Sequence, residues 1–327
     1  NEAPPAIVSI FLGTQLSSML NSIVEKVSDA KMTPEEKTAL KLGVGRLPEI
    51  LIDNTDRNRT SPFAFTGDRF EFRAVGSSAN CAGAMTALNS MVACQLREFK
   101  ANVDALIEKG VKKDEAIFQE IRKLIIESAP IHFDGNGYSD EWKEEAARRG
   151  LTNITCVPES IEQMTTAHAK HVLVDGGIFT ERELEARAEV EFEKFTKKVQ
   201  IEARTIGDLV INHIVPTALE YQNILIKNVK GMKEIMGAEA DSLTESEKDL
   251  IRKISGHISE IRSKTQSLID ARKEANVIEC EREKAYAYEK NVRPLMDEIR
   301  YHVDKLELIV DNEMWPLPKY RELLFFR

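Results

Sequence analysis

The run Asn58-Arg-Thr-Ser-Pro-Phe-Ala-Phe-Thr-Gly-Asp-Arg-Phe-Glu-Phe-Arg73 decides how the rest of the chain is read. Its second half alternates. Arg69, Glu71 and Arg73 fall at every second position, with Phe70 and Phe72 between them. Successive side chains of a strand point to opposite faces, so three ionic groups share one face and two Phe rings the other. The Phe face is suited to burial against helices. The ionic face sets one carboxylate between two guanidiniums on a stiff element. Guanidinium forks match phosphates and carboxylates, and a carboxylate is a hard ligand for Mg2+ or Mn2+. Gly67-Asp68 marks the turn into the strand, and Arg59 is placed to bring a further guanidinium to the same mouth. The competing reading is an exposed strand face with i, i+2 ion pairs, which contribute little. Spacing alone favours the exposed face, because such alternation is common on half-buried strands.

Composition narrows the function classes. The chain has 327 residues, 42% hydrophobic and 30% charged, with a net charge of −9. That is enough apolar material for one large or two ordinary domains. The acidic balance argues against nucleic acid as the main partner. Four cysteines, Cys81, Cys94, Cys156 and Cys280, are scattered without a CxxC pair. They read as reduced thiols of a cytoplasmic protein. No run is apolar and long enough to span a membrane, and no signal-peptide pattern is present.

Outward from the strand, the pattern turns helical. Leu16, Met19, Leu20, Ile23, Val24 and Val27 recur at helical spacing within a segment read as helical over 14–43, and Thr33-Pro34-Glu35-Glu36 looks like a second helix start. Beyond Arg73, Gly76-Ser-Ser-Ala-Asn80 leads into a small-residue helix over 82–100. Its Met85, Leu88, Met91 and Leu96 read as core. Residues 101–130 predict one or two helices, broken at Gly110 and ended before Pro130. Phe133-Asp-Gly-Asn-Gly-Tyr138 has the flavour of a Ca2+ loop but lacks its later acids, so a tight turn is preferred. His168 and His171, three apart with no third ligand in reach of the spacing, read as ordinary helix histidines. From Ser160 onward nearly everything is helical. Pro216 predicts a kink or break, and Asn276 to Val310 reads as a last helix with a kink or boundary at Pro294. Leu250, Ile254, Ile258, Ile261 and Leu268 argue for antiparallel bundle packing. The tail from Met314 is aromatic enough to dock. No P-loop pattern occurs, so any ATP site is of another kind.

The central stretch resembles the C-terminal signature of the glutamine synthetase catalytic domain. In that family an Asn-Arg-Ser-type segment precedes a strand carrying Arg-x-Glu-x-Arg, followed by a Ser-Ala-Asn segment. Here these are Asn58-Arg59-Thr60, Arg69 to Arg73 and Ser77-Ser78-Ala79-Asn80. The wording from Arg59 to Gly67 and from Phe70 to Ser78 is similar to the large type III branch. Asn1-Glu2-Ala3-Pro4 resembles the family's loop over the glutamate site. The resemblance implies ATP- and Mg2+- (or Mn2+-) dependent condensation of L-glutamate with ammonia through a γ-glutamyl phosphate. It implies Glu2 as the base that deprotonates ammonium and Arg59 as the group stabilising the transferring phosphoryl or its acceptor. It further implies Arg69 on the nucleotide side, Glu71 as a metal ligand, Arg73 on the glutamate carboxylate, and a homo-oligomeric ring.

The chain also departs from the family. Ala64 stands where many members have a further Arg. Helical residues at about 14–50 separate the Glu-Ala-Pro loop from Asn58, where the compact pattern has about a dozen residues. The family's other metal-binding Glu and His residues are not in this sequence. One carboxylate cannot hold two or three metals, so these residues on their own are expected to be inactive, as part of a longer chain. The expected fold is α+β and predominantly α. Residues 1–130 form the C-terminal half of the catalytic domain, with antiparallel strands and packing helices, and 131–327 form a helical extension. The alternatives are a helical assembly module of a ring complex, or another carboxylate–amine ligase of the same superfold.

Overall fold

The computed structural model describes residues 7–25, 63–65, 69–72 and 79–324. In chain order its elements are β1 (Ile10–Phe11), α1 (Thr14–Glu25), β2 (Phe63–Phe65), β3 (Phe70–Phe72), α2 (Ala82–Glu108), α3 (Lys113–Ser128), α4 (Asp140–Arg148), α5 (Val157–Glu162), α6 (Ala167–Leu173), α7 (Glu181–Leu209), α8 (Val215–Met236), α9 (Ala240–Leu243), α10 (Glu245–Asn276), α11 (Glu281–Ala287), α12 (Arg293–Ile309) and α13 (Tyr320–Leu323). The described chain is predominantly helical, and none of its helices is long and apolar enough to cross a membrane. It divides into two compact units, one from Asn1–Thr155 with Thr166–Glu181, the other from Cys156–Thr165 with Arg182–Arg327.

In the first unit β2 is the middle strand of three. It runs antiparallel to β3 but parallel to β1, so the expectation of antiparallel strands needs correction at β1, with Ala64 opposite both Phe11 and Glu71. Phe133 and Trp142 stack at 3.7 Å, and Ile7 and Ala146 are buried with Trp142. The Asp134 carboxylate ties this cluster to the turn after β1. It accepts the Leu12 and Gly13 amides, each at 3.2 Å, and the Ser17 hydroxyl at 3.0 Å. Asp134 is therefore a clamp on the β1–α1 turn. The loop that follows is the expected tight turn, with the Asn136 side chain accepting from the Tyr138 amide at 3.1 Å. Met85, Met91 and Leu96 of the small-residue helix α2, expected in the core, are exposed; the helix runs past Lys100 to Glu108 and stops where Gly110 takes φ +90°. A residue with a Cβ disfavours that conformation. Asn102 reaches from α2 to the buried Glu120 of α3 at 2.6 Å.

The second unit is a bundle with a small apolar cluster of Ile161, Ala188, Phe192 and Ala285 and one larger core. The larger core is built on Val199, Ala203, Leu225, Ile254, Ile261, Leu268, Ile299 and Leu306, so the heptad-like series of α10 does face inward. Both internal prolines are met by the same device. The turns Val210–Ile214 and Tyr288–Val292 are π-helical. Val215 and Arg293, the residues just before the two prolines, donate their amides to the Val210 and Tyr288 carbonyls. Proline removes an amide donor and crowds the carbonyl four residues back, and a wider turn relieves both. The helix thus continues through Pro216 and Pro294 without breaking. The sequence reading of one helix from Asn276 to Val310 needs correction at its start. α10 ends at Asn276, and the chain restarts as a helix only at Glu281. Trp315 of the tail joins the core, and the buried Lys319 ammonium donates to the Glu307 and Val310 carbonyls at 2.6 and 3.0 Å. It satisfies carbonyls left over at the end of α12.

Candidate functional site

Strand β3 and the residue before it carry two of the five candidate residues. Glu71 is the middle residue of β3, and Arg69 immediately precedes the strand. The two lie on one face as the alternation requires, with Glu71 Oε1 3.7 Å from Arg69 Nη2. Their side chains are 36% and 66% exposed, so a ligand can reach both. An ion pair this exposed contributes little to stability. Glu2, Arg59 and Arg73 lie outside the described residues, as do Ser77 and Ser78 and the part of the 14–50 region beyond Glu25.

The expectation that the Phe face is buried is overturned. Phe70 and Phe72 are each 46% exposed. Alternation settles which residues share a face of a strand. It does not settle which face receives a covering layer, because that is decided by elements distant in sequence.

Glu71 offers hard oxygen donors and Arg69 a planar fork. Together they suit an oxygen-liganded divalent cation bridged to a phosphate. Mg2+ takes six ligands, so one carboxylate fits such an ion as one donor of several.

A constellation of nucleophile type can be set aside. Ser17 Oγ lies 2.9 Å from His132 Nε2. Asp134 approaches the same nitrogen at 3.3 Å and also accepts from Ser17. In a catalytic triad the carboxylate holds the opposite ring nitrogen, so this group belongs to the β1–α1 clamp.

A second polar cluster sits where α2 meets α6. His171 Nε2 is 3.0 Å from Glu98 Oε1, and its Nδ1 is 3.0 Å from Asp175 Oδ2. The buried Cys94 thiol donates to the same Glu98 oxygen at 3.5 Å. The hydrogen bond from His171, and then that from Cys94, holds the Glu98 carboxyl below its ordinary range. Glu98 and then Asp175 hold the His171 imidazole above its own. Gly176 is required at this corner, because a Cβ there would meet the Val172 carbonyl oxygen at 2.2 Å. The sequence contained only half of this signal. Cys94 and Glu98 are i, i+4 on one helix and His171 and Asp175 are i, i+4 elsewhere, but nothing local joins the pairs. The partner of His171 that the sequence reading lacked comes from a helix 73 residues upstream.

Comparison with known proteins bears on the same chain by a separate route. The profile described as "Glutamine synthetase C-terminal domain" matches residues 116–233, downstream of the strand motif. The chain is 60% identical over 326 residues to a "Glutamine synthetase" of Bacteroides fragilis (strain YCH46), covering 99% of this chain and 45% of that protein. The chain belongs to the glutamine synthetase family. It is also 35% identical to a "Type-3 glutamine synthetase" of Dictyostelium discoideum, over 100% of this chain and 44% of that one. A "Glutamine synthetase" of Butyrivibrio fibrisolvens is 30% identical over 99% and 45%. The chain spans about half the length of the curated relatives it matches. Glutamine synthetase likeness thus extends across the helical region as well as the strand that first pointed to it.

Proposed function

We propose that this chain supplies part of the active site, and the helical C-terminal region, of an ATP-dependent glutamate–ammonia ligase. The observation that carries the reading is the Glu71 carboxylate, open to ligand on a strand beside the Arg69 guanidinium, in a chain of the glutamine synthetase family. Glu71 contributes one ligand to Mg2+ or Mn2+, and Arg69 holds the nucleotide side of the bound phosphates. Arg73 orients the L-glutamate carboxylate. Arg59 stabilises charge on the phosphoryl group as it passes from ATP to the γ-carboxylate. Glu2 takes a proton from ammonium, so that ammonia attacks the γ-glutamyl phosphate. The metal, when bound, offsets phosphate charge.

In this reading 1–130 is the C-terminal half of an α+β catalytic domain and 131–327 its helical extension, in a cytoplasmic homo-oligomeric ring. The packing division near Thr155 is a different kind of boundary and does not replace that assignment. A single candidate carboxylate ligand also supports the view that these 327 residues are inactive by themselves.

The test uses the whole protein that contains this sequence. Glu71→Ala is expected to weaken Mg-ATP binding and lower glutamate- and ammonia-dependent ATP turnover by about 100-fold or more, in the range of lost electrostatic stabilisation at a transition state. If Glu71→Ala, Arg69→Ala and Arg73→Ala all keep wild-type turnover, the assignment is wrong. A purely helical assembly module would keep its oligomeric state and show no Mg-ATP binding at all.

A further inference from the structure

We propose that Cys94, Glu98 and His171 form a binding site for a zinc-class divalent cation on the first unit, apart from the Arg69–Glu71 strand. Among the described residues this group brings one thiol sulfur, one carboxylate oxygen and one imidazole nitrogen within 4.8 Å of one another. Tetrahedral ligands about 2.0–2.3 Å from zinc lie roughly 3.3–3.6 Å apart. Two edges of that arrangement already stand near this length, at 3.0 Å between His171 Nε2 and Glu98 Oε1 and 3.5 Å between Cys94 Sγ and Glu98 Oε1.

The donors are not an accident of one crowded surface. Cys94 and Glu98 sit one turn apart on the long helix α2, and His171 comes from α6, so the site spans two packed helices. Outside the three donors stands Asp175, whose carboxylate takes the other ring nitrogen of His171 at 3.0 Å. A carboxylate behind a histidine ligand fixes which nitrogen faces the metal and raises the basicity of the ring. The sulfur is buried, whereas Glu98 and His171 are about half exposed. The metal therefore has a route in from solvent and a fourth position open to water. The donor set selects the ion. A thiolate and an imidazole suit zinc and its neighbours, and are poor ligands for the Mg2+ or Mn2+ expected at Glu71.

On binding, Zn2+ displaces the thiol proton of Cys94 and the proton on His171 Nε2, and both leave to solvent. Sulfur, nitrogen and carboxylate oxygen each form one bond to the metal, and nothing is oxidised or reduced. The ion then links α2 to α6 in place of the hydrogen bonds now joining Glu98 to Cys94 and His171. Its effect is to stabilise that helix contact by mass action.

The experiment titrates the full chain, stripped with chelator and kept reduced, with Zn2+ in competition with a chromophoric chelator. Co2+ serves as a spectroscopic probe. One Zn2+ per chain is expected at this site, with a rise in melting temperature. Co2+ should give a tetrahedral visible spectrum and a thiolate-to-cobalt charge-transfer band in the near ultraviolet. Cys94→Ser should abolish that band, and His171→Ala should weaken Zn2+ binding by more than 100-fold. Asp175→Asn, a substitution at an exposed position, should weaken it about 10- to 100-fold. Glu71→Ala should leave Zn2+ binding unchanged, which separates this site from the proposed ligase metal. Zn2+ affinity within twofold of wild type in His171→Ala and Asp175→Asn, or a Co2+ spectrum without the thiolate band, would overturn the proposal.

Discussion

Four polar groups, two in each compact unit, stand in contrasting surroundings. In the first unit they stand at the surface within reach of a ligand, as Glu71 beside Arg69 and Glu98 beside His171 do. In the second, buried side chains are held by partners nearer the surface. Tyr288 is fully buried, and its hydroxyl donates to Asn276 Oδ1 at 2.6 Å while accepting from Gln200 Nε2 at 3.2 Å. Gln222, also buried, gives its amide to the Ile251 carbonyl at 2.9 Å and the Ser255 hydroxyl at 2.6 Å. A buried polar group held by its partners specifies packing, whereas an exposed one is within reach of a ligand. Substitution should therefore cost stability in the bundle and binding in the first unit.

The largest effect expected on folding comes from the apolar core of the bundle. Leu268 is fully buried, and Leu268→Ala removes its contacts and leaves a cavity, a loss of about 2–5 kcal/mol. Urea unfolding reads it directly. A loss below about 1 kcal/mol would mean that the α10 face is less tightly packed than the inward heptad positions require. The matched change in the first unit is Glu71→Ala. Its expected stability change is within about 0.5 kcal/mol, as for an exposed ion pair, although it removes the proposed metal ligand. A large stability loss there would break the comparison.

Next in size is the polar network. Tyr288→Phe keeps the ring and deletes the hydroxyl, so Asn276 loses a donor and Gln200 an acceptor. Asn276 and Gln200 still meet each other at 2.8 Å, which limits the cost to about 1–2 kcal/mol. Slowed or unchanged hydrogen exchange at the amides around the π turn would show that the hydroxyl does not hold it; faster exchange is expected.

These contrasts also explain what could be read from the sequence. The bundle was legible because its signal is local. Ile254, Ile258, Ile261 and Leu268 repeat at helical spacing, and Pro216 and Pro294 announce their own disturbance. The form of that disturbance was not legible. A π turn depends on whether the core holds the helix together across the proline, as buried Val210, Val215, Tyr288 and Val292 do. The strand face was legible as chemistry, since Arg69 and Glu71 do pair on one side. The exposure of Phe70 and Phe72 and the meeting of Cys94 and Glu98 with His171 depend on contacts between distant segments, which no window of sequence contains.

The smallest effect expected is a dependence on pH at the His257–His302 pair. The two Nδ1 atoms are 3.0 Å apart between α10 and α12, so one ring must be neutral to accept the other's proton. Burial, then the nearness of His302 and then of Lys305, pushes the His257 imidazole below its ordinary value. A depressed base binds fewer protons folded than unfolded once the pH drops beneath the unfolded value of about 6.5. Its contribution to stability is therefore complete above about 6.5 and is lost as the pH falls toward the lower folded value. The slope cannot exceed about 1.4 kcal/mol per pH unit for one proton. His257→Gln should flatten the fall in urea midpoint between neutral and mildly acid pH, relative to wild type. Because the difference between the two proteins is what is measured, the raised His171 cancels, although its own contribution runs the other way and is lost as pH rises. An identical pH slope in His257→Gln would place the titration elsewhere.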